Sequence, residues 1–174
     1  MNTEGSIDFQ RSLEVRIAGI YQKIADQFSD LDEEDPEWVA FWEALAKDEK
    51  DHAAFLKIEK RFLHSGIRVE KQIAIDPEMQ RELDTLITAC EARIDDGITH
   101  KDAINILTLL ETSEASKTFS SLLKATNSKV LNHLADFSRA HSLHEHRVRE
   151  ALQKYGGDFS REKIKEGRKE ACDV

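Results

Sequence analysis

Apolar residues recur at steps of three and four along most of this chain, the repeat of a helix with one buried face. Leu13, Ile17, Ile20, Ile24 and Phe28 mark a first core helix over about 6–29. Trp38, Trp42, Leu45 and Leu56 mark a second over about 35–64, opened by Asp35-Pro36 and stopped by Gly66. Ile104, Leu107 and Leu122 mark a third over about 99–126, after a capping box in which Asp102 answers Thr99. Leu131, Leu134, Val148 and Leu152 mark a fourth over about 128–155, ended by Gly156-Gly157. Between the second and third, an extended piece over 67–75 leads to Asp76-Pro77 and a crossover helix over about 76–96, closed by Gly97. Ser160 opens a charged tail helix over about 160–172. Short links make antiparallel hairpins of helices 1 and 2 and of helices 3 and 4, and the long link crosses the bundle. The expectation is a single all-α domain over 1–174.

Composition supports this reading. Only 7 Gly and 2 Pro interrupt 174 residues, and 34% of the chain is charged. The formal net charge of −9 disfavours nucleic acid and anionic membrane surfaces as partners. Cys90 and Cys172 form no CxxC, so neither a zinc ribbon nor a rubredoxin-type iron centre is expected, and a reducing compartment fits. The N-terminus MNTEGSIDFQ has no apolar leader core, and no run reaches a membrane span. The chain reads as cytoplasmic.

The stripes are not purely apolar. Glu14 follows Leu13 on helix 1, with Tyr21 seven residues later. Glu49 and His52 interrupt the stripe of helix 2, Glu111 and Glu114 that of helix 3, and Ser138, His141 and Glu145 that of helix 4. Burying an ionised group without a partner costs several kcal/mol. A metal ion compensates by binding both carboxylate and imidazole. Glu14, Glu49, His52, Glu111, Glu114 and His141 can meet near mid-bundle, and two ions sharing carboxylates would satisfy them. Two further histidines, His144 and His146, read as surface residues off the His141 face. Trp38 and Trp42 read as core.

With these residues placed, the chain resembles the rubrerythrin branch of the ferritin-like family. The resemblance rests on Glu14 with Tyr21, on Glu49-x-x-His52, and on Glu111 with Glu114 three residues later. It implies a ferritin-like four-helix bundle whose crossover between helices 2 and 3 contains a helix. It also implies two iron ions, with manganese an alternative, reacting with hydrogen peroxide or dioxygen. Glu14, Glu49 and His52 would hold one ion, and Glu111, Glu114 and His141 the other. Tyr21 would hydrogen-bond a ligand or supply an electron, or else serve only as a core residue. The chain departs from the family at Ser138, where a carboxylate is expected, and Glu145, one turn beyond His141, either reaches in or stays a solvated rim residue. It lacks a rubredoxin module, so electrons would come from a separate donor protein. By analogy it would pair as a homodimer. Two other readings stay open: a metal-binding protein without turnover, and a helical interaction protein whose polar core only sets register.

Overall fold

The computed structural model describes residues 3–31, 36–65, 75–113 and 135–155, with the side chains of 135–138 excepted. Among these residues every element is a helix: α1 Thr3–Ser29, α2 Pro36–His64, α3 Pro77–Asp95, α4 His100–Glu111 and α5 Ala135–Tyr155. None is long and apolar enough to cross a membrane.

The two longest helices pair along their length. Lys60 near the end of α2 binds Asp8 near the start of α1, and Trp38 at the start of α2 meets Phe28 at the end of α1. The pair is therefore antiparallel, as the short link requires. Its seam holds Leu13, Ile17, Ile20, Ile24, Trp42 and Leu45, each 5% exposed or less. A fully buried side chain of this kind contributes about 1.5–3 kcal/mol.

The crossover helix α3 begins at Pro77, where the Asp76 carboxylate accepts from the backbone N–H of Glu78 and Met79. It lies along α1. Arg16 reaches Asp84, Thr88 and Glu91 on its flank, and Leu83, Ile87, Cys90 and Ile94 face the core. Gly97 takes a φ of 84°, a left-handed conformation that turns the chain toward α4. The capping box forms: the Thr99 hydroxyl accepts from the Asp102 N–H, and the Asp102 carboxylate accepts from the Thr99 N–H.

One element is shorter than its pattern predicts. The third core helix, expected to run to about 126, ends at Glu111. Thr112 is its C-cap. The Thr112 hydroxyl donates to the Thr108 carbonyl and that of Ser113 to the Leu110 carbonyl, so both hydroxyls are satisfied at the helix end. The remainder of that expected helix, the start of the fourth before Ala135, most of the 67–75 piece and the 160–172 tail lie outside the described residues. α5 is described to Tyr155 and packs on α2 and α4.

Candidate metal centre

Three helices place carboxylates where Leu would be cheapest, and the structure brings them together. Glu14 on α1 and Glu49 on α2 are each 3% exposed, and Glu111 closes α4 beside them. His52 Nδ1 lies 2.8 Å from Glu49 Oε2 and 3.8 Å from Glu14 Oε2. On the other side, His144 Nε2 lies 3.5 Å from Glu49 Oε1 and 3.3 Å from Glu111 Oε2.

Two donor sets result. Glu14, Glu49 and His52 form one, and Glu49, Glu111 and His144 the other, with the ligand atoms of each set within 4.8 Å of one another. Glu49 belongs to both, and its two oxygens point to different histidines. The side chains line a cavity of about 20 Å³, with Ile17 and Leu110 as apolar walls. That space exceeds the roughly 10–15 Å³ a single water needs.

Electrostatics show what this convergence costs. Burial and the charge of Glu14 push the Glu49 carboxyl well above the carboxylate range. Burial also opposes ionisation of Glu14, but hydrogen bonds from His52, Glu49 and Gln10 outweigh it and hold that carboxyl below its ordinary value. The two carboxyls do not ionise independently. Burial alone would lower the His144 imidazole, yet its hydrogen bonds to Asp48 and Glu111 raise it to about 10. Burial and the neighbouring His52 and His144 push His141 down to about 4.

The expected site residues divide. Glu14, Glu49, His52 and Glu111 converge. His141 is buried in the same cavity but stands behind His52, its Nδ1 3.4 Å from His52 Nε2, and belongs to neither donor set. Glu145 is exposed and touches His141 Nε2 at 3.4 Å, from the rim. Glu114 and the side chain of Ser138 lie outside the described residues. Tyr21 is fully buried, and its hydroxyl donates to Glu111 Oε1 at 2.7 Å. Burial, then the charge of Glu111, drives its pKa well up, so the phenol keeps its proton. Trp38 and Trp42 are core, as expected.

His144 corrects the sequence reading. It is 3% exposed and faces the site, whereas His146 is exposed. Three residues turn a helix by about 300°, which leaves His144 only about 60° from His141. The buried face of α5 runs His141, His144, Val148, Ala151. Asp48 was missed as well. Its carboxylate lies 3.3 Å from His144 Nδ1 and is itself paired with Arg147. A carboxylate on the far nitrogen of a ligating histidine fixes tautomer and ring orientation.

The donor set fits a pair of divalent cations. It offers three carboxylates and two imidazoles, one carboxylate common to both halves, and hard oxygen and imidazole donors suit iron or manganese. Comparison with family models, curated proteins and solved structures finds no match to this chain.

Proposed function

We infer that this chain holds two divalent metal ions between α1, α2, α4 and α5. We read it as a ferritin-like, rubrerythrin-like di-iron protein that reduces hydrogen peroxide or dioxygen with electrons from a separate donor. Glu49 carries the reading, because its two oxygens serve two separate donor sets. Glu14 and His52 would complete one half, and Glu111 and His144 the other. Bound ferrous ions would supply the electrons that break an O–O bond.

The chain's own residues define the rest. Glu14, Glu49 and Glu111 would balance the ionic charge. Asp48 would hold His144 in one tautomer, with Nε2 toward the centre. The Tyr21 hydroxyl fixes one oxygen of Glu111 and leaves the other, Oε2, facing His144. Ile17 and Leu110 give the cavity its apolar walls.

Anaerobic loading with ferrous iron and metal analysis test this. Near two irons per chain are expected, with rapid oxidation on adding peroxide. Glu49→Leu should lose both ions, since it removes a donor from each half. A chain that retains no iron overturns the metal reading, and a polar core that only sets register then explains the stripe. Two tightly held ions without a peroxide reaction would leave a metal-binding protein without turnover.

A further inference from the structure

The chain contains two Trp and two Tyr, and all four lie in one unbroken line of ring contacts. Tyr155, 40% exposed at the end of α5, meets Trp38 with ring centroids 4.9 Å apart. Trp38 meets Trp42 at 5.4 Å, and Trp42 meets Tyr21 at 5.7 Å. Tyr21 then hydrogen-bonds Glu111 at 2.7 Å. Trp38, Trp42 and Tyr21 are buried, so the line begins in solvent and ends on a candidate ligand.

The same rings pack in an aromatic cluster with Phe28, Phe41 and His100. The rest of the core is Leu, Ile, Ala, Val and Phe with the thiol of Cys90, yet every Trp and Tyr of the chain is in the line. Neither indole N–H has a hydrogen-bond partner among the described residues, so no base stands ready to take a proton from either ring. Tyr21 does have such a base in Glu111.

The geometry points to an electron relay: Tyr155, Trp38, Trp42 and Tyr21 carry single electrons from a one-electron donor at the surface to the centre at Glu111. This rests on the metal reading for its destination. A centre oxidised by hydrogen peroxide is the oxidant: Tyr21 gives one electron inward and its phenolic proton to Glu111. Trp42 refills Tyr21, which recovers the proton. Trp38 refills Trp42, Tyr155 refills Trp38, and the external donor refills Tyr155. Each turn oxidises one donor by one electron and leaves the four rings unchanged. The donor is a reduced redox protein or small one-electron reductant that reaches the α5 end near Tyr155.

The relay can be read on the metal-free chain, apart from its destination. Photo-oxidation with ruthenium tris-bipyridyl and persulfate attacks the exposed end. Electron paramagnetic resonance should then show a tyrosyl radical that disappears in Tyr21→Phe. Trp42→Phe and, independently, Trp38→Phe should lose the Tyr21 signal and leave oxidation at the outer rings. Trp42→Tyr, still oxidisable, should restore it, which a merely structural role would not do. A Tyr21 signal unchanged in both Phe variants, or a radical confined to Tyr155 in the intact chain, overturns the relay. On the iron-loaded chain, hydrogen peroxide should raise the same Tyr21 radical, and its loss on adding ascorbate should slow in Trp42→Phe with iron content unchanged. An unchanged rate overturns the destination. Failure to take up iron overturns the metal reading through its own measurement.

Discussion

Asp48 and His144 show how a site can be half visible in a sequence. Glu14, Glu49, His52 and Glu111 stand on stripes where an apolar residue would stabilise the core, so their cost advertises them. His144 sits on the same buried helix face as His141, which continues through Val148 and Ala151, but the stripe read from the sequence steps from His141 by four to Glu145, which is exposed. Asp48 is one residue from Glu49, about 100° around the helix, and acts across to α5 rather than into the stripe. No pattern within one helix reports a partner on another. Asp48→Asn keeps the shape but leaves His144 without its anionic support. Loss of such a supporting carboxylate costs roughly 10–100-fold in metal affinity. Isothermal titration should find that loss at the half containing His144, with the half containing Glu14 and His52 little changed. Equal weakening of both halves would contradict the assignment of Asp48 to one of them.

At the scale of elements, starts were legible and one stop was not. Asp76-Pro77 and Thr99-x-x-Asp102 are local chemistry, and both caps form where the sequence places them. α4 ends at Glu111 within a run of apolar steps that continues in the sequence, so periodicity does not announce the stop. The capping box carries a pH signature. Hydrogen bonds from the Thr99 side chain and backbone hold the Asp102 carboxyl below its ordinary 3.8. A group with a depressed folded pKa adds stability above its unfolded pKa and loses it as pH falls through the folded value. Asp102→Asn should therefore destabilise the chain at neutral pH, and the two melting curves should converge below about pH 4. Thr99→Ala removes the cap acceptor and the hydroxyl that donates to Asp102. It should cost about 1 kcal/mol by urea denaturation at neutral pH, part of it lost on acidification. A difference for Asp102→Asn that grew on acidification would show the carboxylate to be unfavourable in the fold. Arg16 sets the position of the crossover in a similar way, by joining α1 to Asp84 and Glu91 through one guanidinium.

At the scale of the whole molecule, the site trades stability for function, and metal should return it. Glu14 and Glu49 replace side chains that would each contribute about 1.5–3 kcal/mol by burial. They also set two carboxyls together where only one ionises readily. Four helices meet at this point, so anything binding there ties together the elements that must separate on unfolding. Binding to the folded state alone adds about 2.7 kcal/mol for each site at a free concentration 100 times Kd. For a chain of this size 1 kcal/mol moves the melting midpoint by about 2–4 °C. Each ion should therefore raise the midpoint by about 5–10 °C at that concentration, in ratio to the logarithm of free metal. Glu49→Leu should melt no lower than the parent without metal, because it removes the carboxyl least able to ionise, and should gain nothing when ferrous or manganous ion is added. Scanning calorimetry of both chains, with metal and with chelator, makes the comparison. A parent midpoint indifferent to metal would place the polar residues in a purely structural role. A Glu49→Leu midpoint that still rose with metal would move the bridging position to another carboxylate.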